Sequence, residues 1–136
     1  MTKDIWLNLP VKDVQRSKAF FTALGYTFDS PRDNEQMACL MIGSKKFVVM
    51  LFQEQTFKSF IQGEITDTSK SSEILISIDA ESREEVDDYA KKVTAAGGAI
   101  YAQSAENQGW MYGCAFTDLD GHKWNVLYMD MTKMPK

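Results

Sequence analysis

Histidine is nearly missing from this chain, cysteine is scarce, and no apolar run is long: 136 residues hold one histidine and two cysteines. A lone His122 excludes a site built on two imidazoles, and its place directly after a turn glycine gives it a structural role in a hairpin rather than that of a base. Cys39 and Cys114 lie in apolar segments without C-x-x-C spacing, so they read as buried thiols and not as a redox pair or a zinc knuckle. No stretch approaches the roughly 18 to 20 consecutive apolar residues that span a bilayer. The opening MTKDIW lacks the basic-then-apolar layout of a signal peptide, so the expectation is a cytoplasmic protein with no membrane partner. Fifteen Lys and Arg against nineteen Asp and Glu give a net charge of −4 with the signs interspersed, which excludes nucleic acid as a partner. Phosphate-cradling glycine loops, a G-x-S-x-G elbow and a dinucleotide fingerprint are all absent, and NAD and ATP chemistry go with them.

What the chain does have is apolar bulk. Hydrophobic residues make up 44%, and eight methionines and sixteen aromatic residues suit either a core or a soft apolar pocket. Residues 4–11 place Ile5, Leu7, Leu9 and Val11 at a period of two, the pattern of a half-buried strand. Asp13 is positioned to cap a helix with Val14, Ala19 or Phe20, Phe21 and Leu24 at helical spacing, stopped by Gly25. Strands are predicted over 26–29, 36–42 and 46–53, then a small helix over 54–62 and a polar linker over 63–72.

The second half repeats the order. A strand over 73–79 alternates Ile74, Ile76 and Ile78 with Glu73, Leu75, Ser77 and Asp79. Ser82 and Glu85 form an S-x-x-E capping box for a helix closed by Gly97-Gly98. Strands over 99–104, 110–117 and 122–130 follow, the last two joined by the tight turn Asp118-Leu119-Asp120-Gly121. The expectation is an α+β fold of two βαβββ modules, 1–63 with its short helix and 73–136, in one domain over 1–136. The modules would pack about a pseudo-two-fold axis around a concave ligand cavity, with helices outside. Residues alternating with the core series would line that cavity: Trp6 and Asn8, Met50 and Phe52, Glu73, Leu75 and Ser77, and Asn125, Leu127 and Met129. A mostly apolar lining with few polar groups is the composition of a small-molecule pocket.

LPVKDVQRSKAFFTALGYTF and FTDLDGHKWNVLYMD, in this order, resemble the opening strand, capped helix and L-G-x-x-F exit, and the D-x-D-G-H closing hairpin, of the vicinal oxygen chelate superfamily. That superfamily includes glyoxalase I, extradiol dioxygenases and bleomycin or fosfomycin resistance proteins. The resemblance covers nearly the whole chain. It implies a homodimer, and four strand positions for metal ligands that fall here on Trp6, Met50, Glu73 and Asn125. Indole and thioether are no replacement for imidazole and carboxylate as ligands of a hard cation, so no metal site and no cofactor are expected. A divalent metal enters only if those strands are read one or two residues out of register.

Two functions compete on this reading. The first is a metal-free small-molecule binding protein of the bleomycin-resistance type, with Trp6, Asn8, Met50, Phe52, Ser77, Trp110, Tyr112 and Asn125 as ligand-binding residues. Trp110 and Tyr112, following Gly109, would close over a flat ligand. The alternative is a glyoxalase-like lyase or isomerase, or a dioxygenase, acting on a small oxygenated substrate with Glu73 as catalytic acid or base. An exposed Glu73 at a strand start is the plainer reading of that residue.

Overall fold

Alternation of branched apolar residues with polar ones makes strands of the chain's first and middle segments, and two capped amphipathic stretches make its longer helices. A computed structural model describes residues 1–135 of this protein. The chain divides into two compact units, Met1–Thr66 and Asp67–Lys136. Among the described residues, no helix is long and apolar enough to cross a membrane.

In the first unit, β1 (Leu7–Val11) leads into α1 (Val14–Ala23), and β2 (Thr27–Phe28), β3 (Met37–Ile42) and β4 (Phe47–Gln53) follow before α2 (Glu54–Ile61). Asp13 caps α1 by accepting the Arg16 N–H at 3.1 Å. Val14, Ser17, Phe20 and Phe21 are buried, so Phe20 rather than Ala19 takes the core position. The sheet order is β1-β4-β3-β2, with β1 parallel to β4 and the other pairs antiparallel. Pro10 sits on the edge strand β1, the place in a sheet that tolerates a missing N–H. Residues 4–6 were expected in this strand, but the β1–β4 ladder starts at Leu7, and Ile5 and Trp6 are exposed ahead of it.

The second unit runs β5 (Leu75–Ala80), α3 (Arg83–Ala95), β6 (Ala99–Asn107), β7 (Met111–Thr117) and β8 (Lys123–Met129), in the sheet order β5-β8-β7-β6. It is the same design, with β5 parallel to β8. The Ser82 hydroxyl accepts the Glu85 N–H at 3.1 Å, while the Glu85 carboxylate reaches the Glu81 N–H at 3.3 Å. β6 extends three residues beyond the expected 104, and its pairing with β7 shifts register on either side of Ala102. The fold is α+β, two similar modules that each carry a four-stranded mixed sheet.

The hairpin between β7 and β8 is organised by one buried carboxylate. Asp118 Oδ1 accepts the N–H groups of Asp120 and His122, each at 3.0 Å, and Oδ2 accepts the indole N–H of fully buried Trp124 at 3.0 Å. Burial pushes the Asp118 carboxyl up, against the opposing pull of His122 and the Trp124 and Asp120 hydrogen bonds. Gly121 turns with φ +82°, and a side chain there would also overlap Thr68 Oγ1, which donates to the Asp120 carbonyl at 2.6 Å.

Candidate functional site

Strand alternation decides what each sheet offers. In the first unit Leu9, Val11, Val49 and Leu51 are buried on the side of α1, which leaves Asn8, Met50 and Phe52 on the opposite face. Asn8 pairs with Met50 and Pro10 with Phe52 across the β1–β4 ladder. A cavity of about 690 Å³ lies over this face, with Trp6, Met37, Met50 and Phe52 among its wall residues and Phe60 of α2 edge-on to Phe52 at 5.0 Å. Trp6 keeps 55% of its surface exposed and so offers a broad indole face. Asn8 shares the face but is not among the lining residues.

The rim is of a different character. Lys3 and Asp4 come from the segment ahead of β1, Lys45 and Lys46 from the β3–β4 hairpin, and Arg32 from a 3-10 turn, Ser30–Arg32. That turn is tied to β3 at several points. Asp29 N–H donates to the Cys39 carbonyl at 3.0 Å, Asn34 N–H to the Met37 carbonyl at 2.9 Å, and Asp33 Oδ1 accepts the Cys39 N–H at 2.9 Å. Lys18 Nζ lies 2.8 Å from Asp33 Oδ2 and completes the anchor. These cations were not singled out in the sequence, where each reads as a solvated loop charge. Only folding gathers three separate segments on one opening.

In the second unit, Ser77 and Asn125 come together as register partners, with Asn125 Nδ2 3.4 Å from Ser77 Oγ. Glu73 was expected on the strand beside them. It lies instead in an exposed bend two residues before β5, because the β5–β8 ladder begins at the Leu75–Lys123 pair. Tyr112 also departs from expectation. It falls on the α3 side of β7 together with Cys114: its hydroxyl donates to Asp87 at 2.9 Å, and the Arg83 guanidinium sits 4.9 Å from its ring centre. The physical reason is parity, since odd-numbered Ala115 is the residue opposite Asn125. The Asp87 hydrogen bond raises the Tyr112 phenol above its ordinary value. Trp110 lies in the turn ahead of β7, with its indole N–H buried and unpartnered among the described residues. The proposed Trp110–Tyr112 clamp therefore does not converge with Ser77 and Asn125.

The remaining candidates sit in the scaffold. His122 donates its backbone N–H within the Asp118 hairpin. Cys39 and Cys114 are buried, and burial raises both thiols, for Cys39 with a further push from Asp29.

The bleomycin resistance protein-like N-terminal family matches residues 3–43. A hypothetical protein of S. aureus with a solved structure is 34% identical, with a TM-score of 0.85 over 94% of this chain and 95% of that one. A glyoxalase/bleomycin resistance protein/dioxygenase family enzyme from Burkholderia phytofirmans is 16% identical, with a TM-score of 0.78 over 91% of this chain and 96% of that one. Residues 3–43 are thus similar to the bleomycin resistance protein-like family, and the whole chain has the fold of these glyoxalase/bleomycin resistance structures. A fosfomycin resistance protein from Listeria monocytogenes has a similar fold at 17% identity, with a TM-score of 0.68 and 98% of this chain and 98% of that one covered. No curated protein matches the chain significantly.

The resemblance placed possible metal-ligand positions at Trp6, Met50, Glu73 and Asn125, and their donor chemistry can be compared with what a divalent cation needs. The first unit offers an indole and a thioether at these positions, Trp6 and Met50. The second carries Glu73, which lies outside its strand, and Asn125, whose amide is engaged with Ser77. Among the described residues, no three His, Cys, Asp or Glu side chains gather closely enough to hold an ion. One carboxylate and one amide do not fit a tightly held divalent cation.

Proposed function

We propose that this chain is a member of the vicinal oxygen chelate superfamily, that it is a small-molecule binding protein that works without a metal, and that the cavity over β1 and β4 is its ligand site. The cavity itself carries the reading. Its volume of about 690 Å³ lies within the range of roughly 300 to 1,000 Å³ typical of ligand sites, and its wall is aromatic and thioether. A flat apolar ligand would cover Trp6 and lie along Met50 and Phe52, soft side chains that adapt to shape. The alternative of a glyoxalase-like lyase or dioxygenase rests on Glu73, which lies in an exposed bend ahead of β5 and away from an apolar, desolvated setting that would favour proton transfer.

The test is direct binding of a neutral aromatic probe, N-phenyl-1-naphthylamine, followed by its fluorescence with and without a chelator. Saturable binding that the chelator leaves unchanged is expected. Trp6→Ala should weaken it about tenfold, the loss that follows from burying on the order of 50 to 60 Å² of indole at ~25 cal/mol per Å². Equal affinity in wild type and Trp6→Ala would remove the cavity from consideration, and binding abolished by the chelator would remove the metal-free reading.

A further inference from the structure

The rim of the cavity and the charge of the chain point in opposite directions. Four cationic side chains and one carboxylate border the opening, a local formal charge of +3 on a chain whose net charge is −4. Among the described residues, Lys3, Lys45 and Lys46 have no ion pair with any carboxylate. Arg32 meets Asp29 through Nε at 3.3 Å, yet its side chain stays 67% exposed. Like charges gathered without partners repel one another, and a low-dielectric wall beside them focuses their field into the cavity. Two details show that the fold sets the backbone at two of these positions, Lys46 and Arg32, while the lysine side chains themselves are exposed. Lys46 is held in the left-handed region at φ 53°, and the 3-10 turn that carries Arg32 is fastened to β3 by the backbone and Asp33 bonds described above.

We infer that the ligand is an amphipathic anion, a flat apolar body bearing a carboxylate, sulfonate or phosphonate that the Lys3, Arg32, Lys45 and Lys46 rim receives while the body lies on Trp6, Met50 and Phe52. This rests on the binding function proposed above and adds the ligand's charge to it. An isolated inorganic anion fits less well, because it leaves the apolar wall wet. A neutral aromatic fits less well because it leaves the cations unpaired.

A matched pair of probes separates the two contributions. 1-Anilinonaphthalene-8-sulfonate and N-phenyl-1-naphthylamine share one aromatic frame and differ by the sulfonate. The readout is the ratio of their dissociation constants, measured by fluorescence titration on the full chain at low salt. Wild type should favour the sulfonate even though that probe is the more water-soluble. In Lys45→Gln/Lys46→Gln and in Arg32→Gln the preference should fall about fivefold or more, the scale of one or two partly screened charge contacts. Glutamine already occupies left-handed positions at Gln62 and Gln108, so residue 46 accepts it. Lys92→Gln on α3, remote from the rim in sequence and in the second unit, should leave the ratio as it is. Raising the salt should shrink the wild-type preference. If both probes bind and Trp6→Ala weakens both, but the ratio ignores the rim variants and salt, the anion inference is overturned and the binding function stands. If neither probe binds, or Trp6→Ala changes neither, the binding function fails and the inference with it.

Discussion

Removing the Asp118 carboxylate should cost this protein about 3 kcal/mol, and the figure follows from three hydrogen bonds of unequal worth. The indole N–H of Trp124 is the largest contributor, because Trp124 is fully buried and Asp118→Ala strands that donor away from water. A stranded buried donor costs roughly 1 to 3 kcal/mol. The N–H groups of Asp120 and His122 lie in a half-buried turn where water can replace the lost acceptor, so each adds only about 0.5 to 1 kcal/mol. Relief of the carboxylate's own burial offsets part of the sum. Asp118→Asn should fall between, since its carbonyl oxygen still serves the two turn donors while its amide faces the indole donor. Urea unfolding followed by circular dichroism measures all three proteins, and the alanine variant should also melt about 10 °C lower. A double-mutant cycle with Trp124→Phe should return a coupling of at least about 1 kcal/mol. A loss below about 1 kcal/mol for Asp118→Ala, or an asparagine variant no better than the alanine one, would refute the hydrogen-bond reasoning.

Three further outcomes are expected. Gly113→Ala places a Cβ 2.6 Å from the Val126 carbonyl oxygen and 2.7 Å from Leu127 Cδ2, and the backbone of β8 does not yield as a side chain does. Thermal unfolding should show a loss of about 1 to 3 kcal/mol, and an unchanged melting temperature would mean the strands separate freely there. Cys39 and Cys114 should resist a disulfide reagent such as DTNB at pH 8 until denaturant is added, because both are buried and raised. Rapid native labelling of either would contradict their burial. The Arg83 hydrogen bond holds the Glu106 carboxyl below its ordinary 4.5, so the pair's contribution is present above that value and is lost as pH falls through the lower folded one. Glu106→Gln should therefore flatten stability against pH at the acid end, and an unchanged acid limb would show that the pair does not form in solution.

Local chemistry made most of the fold legible. Asp13 and the Ser82/Glu85 box mark helix starts because their side chains have only backbone N–H groups to satisfy nearby. The D-x-D-G-H turn shows in the sequence because its bonds span only a few residues. Ladder ends were harder: residues 4–6 and Glu73 carry strand-like alternation, yet a strand exists only where a partner lies beside it, and the partners start at Val49 and Lys123. Tyr112 was misplaced for a related reason, since parity on β7 is fixed by its register against β8 and not by the aromatic cluster around it. In the candidate site, Met50 and Phe52 follow the alternation of β4, whereas Trp6 reaches the cavity from ahead of the β1 ladder and not by strand parity. Lys3, Arg32, Lys45 and Lys46 could not be read from alternation, because a loop charge has no periodicity and their meeting is a product of three separate loops.

The contact between Thr68 and Gly121 has a bearing on how this chain can drift. Two demands fall on position 121 at once, a left-handed backbone and an empty space occupied by the Thr68 hydroxyl. Asparagine, which meets the first demand in many turns, is still barred by the second while threonine stands at 68. Alanine at 68 removes the hydroxyl but keeps a Cβ 2.9 Å from the new side chain, so a substitution at 121 needs residue 68 to shift or to become glycine, and either change gives up the bond to the Asp120 carbonyl. Two residues far apart in sequence are therefore coupled, and in a randomised library substitutions at 121 should be recovered together with changes at 68.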